Sequence, residues 1–308
     1  MAMKPKTFAA GAGLVWRRQR VLWWIYAVNL ALGVFATRDM VERTGSVLNH
    51  SLAAGRLLHG FSLAAVIELL SRPDGPLTPG PSHLFFMLLF ASFMLFATGG
   101  VLAAYYRDER LPAGSFFEAC GYHFWRFVRL IVYFGIVLLP VGLLEFIAGK
   151  IYDRIDEKAI SPFPAVWFFV AAAVVIVFVL ICLRLWFDMA QVIAVGDDEY
   201  RMHNALRRAA KLVWNNFGSL FWLYFRISLV GWLVFGLALQ YWKNYMRPES
   251  LFGVLLVSQF VIVFWLATRL WQRASEALWY RQHQSAVYES AAGPAPEPVP
   301  TPSAAVLF

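Results

Sequence analysis

Six stretches of this chain are apolar on every side, too long and too continuous to be one face of a water-soluble helix or strand. They lie near residues 20–37, 83–106, 126–149, 163–188, 218–241 and 251–272. About 20 mostly apolar residues are needed to carry a helix across the roughly 30 Å hydrocarbon layer, and each stretch is near that length or above it. The pattern predicts an all-α, polytopic membrane protein with six transmembrane helices. Pro140 falls inside the third span, where neighbouring helices can satisfy the freed carbonyl. The first span has a basic start, and its Val34-Phe35-Ala36 triplet is compatible with leader cleavage. Its Trp-rich beginning fits a retained helix better.

The polar residues between the spans are also patterned. Three stretches lead into spans one, three and five: GAGLVWRRQRVLWWIY, ACGYHFWRFVRLIVYF and RAAKLVWNNFGSLFWLY. Aligned on Trp16, Trp125 and Trp214, each begins with small residues, continues with polar or basic ones and then turns apolar. Arg184-Leu185-Trp186 ends span four and Arg269-Leu270-Trp271 ends span six, while span two has Thr98-Gly99-Gly100 instead. The expected architecture is three hairpins, each led in by an interfacial amphipathic helix. Trp16, Arg17, Trp125, Arg126 and Trp214 would be its anchors in the headgroup layer.

Three regions complete the organisation. Residues 1–19 read as a basic cytoplasmic helix at the interface, and 20–290 as the six-helix domain. Within that domain, 38–82 reads as an external segment with two short amphipathic helices. The first is centred on Leu48, Leu52 and Leu57, the second on Leu63, Val66, Ile67 and Leu70. Residues 291–308, rich in Pro and Ala, read as a disordered cytoplasmic tail.

Composition supports lipid as the solvent: 60% hydrophobic, 17% aromatic and only 15% charged residues, with mean hydropathy +0.58. A soluble chain carries about a quarter charged residues. The net charge of +8 lies beside the apolar runs, which points to anionic lipid headgroups at the cytoplasmic face rather than nucleic acid. Lys4, Lys6, Arg17, Arg18 and Arg20 precede span one. Arg107, Arg110, Arg126 and Arg129 follow span two, and Arg201, Arg207, Arg208 and Lys211 follow span four. The intervening loops are poorer in basic residues for their length. Both termini are therefore expected in the cytoplasm of a bacterial cell, with the chain in the inner membrane.

The exit from span four, an Asp-containing turn and the helix Ala205-Leu206-Arg207-Arg208-Ala209 through Leu212 resemble a group of six-helix bacterial membrane proteins. That group includes the membrane domain fused to some glycerophosphodiester phosphodiesterases. The resemblance covers residues 180–230 or so; it implies a fold and a location, and no phosphodiesterase domain accompanies it here.

Candidate chemistry is sparse. Cys120 and Cys182 both lie in or beside apolar segments, as reduced thiols would, and the six histidines show no metal-ligand spacing. No catalytic, metal or cofactor residues are expected. Ionisable groups inside spans are the functional candidates. Arg226 lies about 12 Å into span five at 1.5 Å per residue. Asp188 is its expected partner, with Arg184 one turn earlier on the Asp188 face. The cluster reads either as an interhelical ion pair that fixes packing, the preferred reading, or as the lining of a cytoplasm-facing site for an anionic headgroup. Glu145 reads as a carboxyl reaching outer-interface water, Asn29 as helix–helix glue, and Gly99-Gly100 and Gly231/Gly236 as points of close approach. The expectation is a non-catalytic scaffold, assembly factor or accessory subunit, with a membrane-protein partner or a second copy. The alternative is a transporter or lipid-handling protein with a polar site between spans four and five.

Overall fold

The structure, a computed structural model, describes residues 6–48, 81–107, 111–158, 161, 163–245 and 250–292. Eight helices account for nearly all of them: α1 Lys6–Arg17, α2 Gln19–Leu48, α3 Pro81–Arg107, α4 Ala113–Lys158, α5 Phe163–Gly196, α6 Met202–Asn215, α7 Phe217–Tyr245 and α8 Leu251–Ala292. The six long ones, α2, α3, α4, α5, α7 and α8, are each long and apolar enough to cross a membrane. The protein is an all-α, multi-pass membrane protein.

Several of these helices outrun the bilayer. The 46 residues of α4 and 42 of α8 correspond to about 69 and 63 Å at 1.5 Å per residue. Helix α4 is unbroken across Pro140, and α8 continues well beyond the expected end of span six at residue 272. At the other end of the bundle, α2 runs on to Leu48. Residues 38–48, assigned to the external segment on sequence grounds, instead extend span one, with Arg38 and Glu42 paired one turn apart at 3.5 Å. The remainder of the expected amphipathic segment and nearly all of the C-terminal tail lie outside the described residues.

Packing is concentrated at one end of the bundle, the end that bears α1. In α5 the buried run is Leu185–Ala194, whereas Phe163, Trp167, Val174 and Phe178 stand exposed. The same holds in α4, where Cys120, Phe127 and Leu130 are buried and Ile136, Leu139 and Phe146 are exposed. Lipid tails are as apolar as these side chains, so the far halves gain little by burying them against one another. Helix α8 is the hub, touching α1, α2, α3, α5 and α7.

Two of the three lead-in segments, those before spans one and five, are arranged alike. Helix α1 packs on α8, the start of α4 on α3, and α6 on α5. The Trp271 indole donates to the Phe8 carbonyl at 2.8 Å, and the Trp186 indole donates to the Leu206 carbonyl at 2.8 Å. Each acceptor lies eight residues before its aligned tryptophan, Trp16 or Trp214. The chain breaks at matched positions too. Arg18 N–H donates to the carbonyls of Leu14 and Val15, and Asn216 N–H to those of Leu212 and Val213, all at 3.1–3.2 Å. In α4 the matched residue is Phe127, and the helix runs straight through it. Trp186→Phe and Trp271→Phe should therefore each lose about 1 kcal/mol, the net value of one hydrogen bond. Denaturant unfolding in detergent would read the two losses, and a large inequality between them would mean that the bonds are not equivalent.

Candidate functional site: a buried ionic centre

Helices α7 and α8 pack together, with Gly231 against Thr268, and polar residues on their facing sides meet. Tyr224 and Ile227 of α7 are buried, as are Gln272, Ala274, Ser275, Glu276 and Ala277 of α8. Here Asp188 of α5 receives Arg273 of α8 at 2.9 Å and, one turn away on its own helix, Arg184 at 3.6 Å. Arg273 also reaches Glu276, fully buried one turn on, at 3.6 Å. The Tyr224 hydroxyl sits between the Asp188 and Glu276 carboxyls, in hydrogen-bond contact with both. Arg184 donates to Gln272 at 2.8 Å, and Gln272 donates to Ser228 at 3.1 Å. Two carboxylates face two guanidiniums, so the formal charges of Asp188, Glu276, Arg184 and Arg273 cancel. The cluster ties α5, α7 and α8 together.

Its depth follows from helix rise. Asp188, Arg273, Glu276 and Tyr224 lie about 32–38 Å along their helices from the far ends of those helices. That distance exceeds the roughly 30 Å hydrocarbon thickness, so spans that begin at those far helix ends would carry the centre toward the α1-side boundary rather than the midplane. Beside it, a cavity of about 240 Å³ is lined by Ile25, Met94 and Leu266 together with Asp188, Arg269, Gln272 and Arg273.

Arg184 and Asp188 come together as expected, but Arg226 does not join them. It lies over the Trp222 ring at 5.0 Å, and the place opposite Asp188 is taken by Arg273. The reason is angular. Tyr224 faces the centre, and Arg226, two residues on, is rotated by about 200° around α7 at 3.6 residues per turn. Arg273, Glu276 and Tyr224 escaped the sequence reading because the sixth span was ended at 272 and Tyr224 was not singled out among the aromatics of span five. The available signal was Arg273 and Glu276, spaced i,i+3 among the small residues Ala274, Ser275 and Ala277.

Two further networks lock the α1 end. Asp197, just past α5, accepts from Arg208 of α6 and from Tyr280 (2.9 Å) and Gln284 of α8, while Tyr106 of α3 donates to Gln284 at 2.8 Å. Burial opposes the charge on Arg208, but Asp197, Tyr280 and Glu199 together outweigh it and hold the guanidinium pKa above its ordinary value. Asp197 and Arg208 belong to the Asp-containing turn and the helix singled out in the sequence. The neighbouring Asp198 adopts the left-handed region, φ 49°, which short polar side chains tolerate better than most. It receives Arg126 at 2.6 Å and the Tyr122 hydroxyl at 3.0 Å. The bond from Arg126 holds the Asp198 carboxyl below the usual carboxylate range.

Arg126 therefore departs from its expected role: it is 5% exposed and committed to Asp198, not turned toward headgroups. Trp16, Trp125 and Trp214 do face outward, 75%, 67% and 85% exposed, and Arg17 is exposed beside Trp16. Glu145 is exposed on α4, and the Asn29 amide reaches Met94 Sδ of α3 at 3.9 Å. Gly99 and Gly100 press on α4, Gly231 makes ordinary contact with Thr268, and Gly236 borders open space. Among the described residues no three His, Cys, Asp or Glu side chains gather as a metal site.

Comparison of the chain with family models, with curated proteins and with solved structures finds no match.

Proposed function

We propose that this protein is a non-catalytic scaffold, assembly factor or accessory subunit of a bacterial inner membrane, with both termini in the cytoplasm. The observation that carries this reading is the self-sufficiency of the ionic centre: its carboxylates are matched by arginines of the same chain. A matched buried cluster acts as a clasp between helices, since removing one partner strands a charge while the intact set is neutral. Its depth near one boundary also differs from the midplane sites built between repeats of secondary transporters. The positive-inside bias supports placing the α1 end in the cytoplasm: Arg17, Arg20, Arg107, Arg129, Arg207 and Lys211 all lie at that end. The matched indole bonds of Trp186 and Trp271 support a repeat that relates the lead-in segments of spans one and five. The resemblance of residues 180–230 to six-helix bacterial membrane proteins remains part of the proposal, as an expectation about fold and location.

The outward tryptophans and the apolar far halves offer surface to lipid and to a membrane-protein partner or a second copy. The test is purification of the full chain from native membranes in mild detergent at native expression. The reading expects one partner or a defined oligomer to be retained reproducibly, and a lone monomer in every preparation would overturn it.

The cavity beside the centre favours a second reading, lipid handling or transport, because Arg269 lines it without an ion-pair partner among the described residues. That reading expects Arg269→Gln to abolish the phenotype of the gene while leaving abundance unchanged. The scaffold reading expects phenotype and abundance to move together.

A further inference from the structure

A second and larger cleft, about 510 Å³, opens on the α1 side between the start of α2, α3 and the start of α4. Its mouth carries Arg17, Arg18 and Arg20, and its walls are apolar and aromatic, including Trp24, Phe93 and Phe117. No carboxylate is among its described lining residues. The volume falls in the range of small-molecule sites, about 300–1,000 Å³. The shape is directional. From Arg20 to Val28, which also lines the cleft, the chain descends about 12 Å along α2 at 1.5 Å per residue. Positive charge therefore sits at the level where phosphates lie, and aromatic wall continues below it into the apolar part of the spans. The N-terminal end of α4, beginning at Ala113, lines the same mouth and adds the positive end of a long helix dipole.

We propose that this cleft is a binding site for one anionic phospholipid, its phosphate held by Arg17, Arg18 and Arg20 and one acyl chain laid against Trp24, Phe93 and Phe117. A soluble phosphate compound could meet the arginines but would leave the lower wall empty. A protein segment reaching that wall would have to enter the bilayer alongside α2. A lipid already has its charged and apolar parts in this order, at this spacing. The site does not rest on the scaffold reading, since a chain with no protein partner could hold the lipid equally well.

The experiment uses the full chain in nanodiscs of phosphatidylcholine with increasing fractions of phosphatidylglycerol, and native mass spectrometry to count retained lipids. One phosphatidylglycerol should be retained per chain in preference to phosphatidylcholine. Arg17→Gln with Arg20→Gln should weaken retention about thirtyfold, at roughly 1 kcal/mol for each basic residue near the surface. Arg207→Gln with Lys211→Gln, two exposed charges on α6, should leave it unchanged. Val28→Trp, which fills the lower cleft without touching charge, should also weaken retention, and it answers the question if the arginine variant fails to fold. Equal loss from both charge pairs, unchanged retention in Val28→Trp, or displacement of the lipid by millimolar inorganic phosphate would each overturn the proposal.

Discussion

Arg273→Leu should be among the most damaging single substitutions in the protein, destabilising it by about 3–5 kcal/mol, the range for stranding a buried charge. Among the described residues Arg273 is the only one ion-paired with both Asp188 and Glu276. Without it, Arg184 at 3.6 Å from Asp188 is left to balance both carboxylates, and Glu276 lies fully buried with only the Tyr224 hydroxyl beside it. Adding Glu276→Gln to Arg273→Leu removes one of the two negative charges and should recover most of the loss. Asp188→Asn added alone should recover less, because it leaves the more deeply buried carboxylate in place. Arg226→Leu should cost about 1 kcal/mol, the scale of one cation–π contact by a half-buried arginine. Unfolding titrations in mixed micelles would order these variants. Equal losses from Arg273→Leu and Arg226→Leu would remove the basis for a clasp centred on α8.

Gly100→Val should be comparably severe for a different reason. A Cβ at Gly100 would lie 2.8 Å from the Phe116 ring and 2.9 Å from the Phe116 carbonyl, with Cys120 Sγ also in its way. The carbonyl belongs to the backbone of α4 and cannot swing aside, so α3 and α4 must separate. Overpacking of this kind costs about 1–3 kcal/mol even for small increments, and valine adds two methyl groups beyond the first carbon. Cys120→Gly would relieve the sulfur contact but not the carbonyl, so rescue should be partial. Gly236→Ala borders open space and should be neutral or stabilising by up to about 1 kcal/mol, as helix propensity dictates. Thermal stability of the purified variants separates the cases. A tolerated Gly100→Val would mean that the α3–α4 seam is looser than its geometry implies.

The loss expected at Gly100 and the tolerance expected at Gly236 also mark where sequence reasoning stops. Both glycines sit in apolar helices, and from composition alone both suggest close packing. Only the position of α4 against α3 gives one of them a neighbour. Arg226 and Arg273 form a parallel case. Depth within an apolar run is readable along one dimension, so Arg226 stood out, but pairing depends on rotation about the helix axis relative to other helices. Arg126 and Trp125 are adjacent in sequence and read as one anchoring pair, yet one turns inward to Asp198 and the other outward.

What the chain determined without reference to its fold is its solvent and its secondary structure. Long runs of apolar residues can satisfy their backbone in lipid only as helices, so the six spans were legible residue by residue, as were the lead-in motifs, but not how far α2 and α8 continue beyond them. Tertiary structure alone decided which charges meet, where the helices overrun the bilayer and which glycines are under pressure. Those outcomes depend on the rotation and separation of helices far apart in sequence. In lipid no hydrophobic pattern specifies these, because every face of a span is apolar and contacts between small and polar residues select the seam.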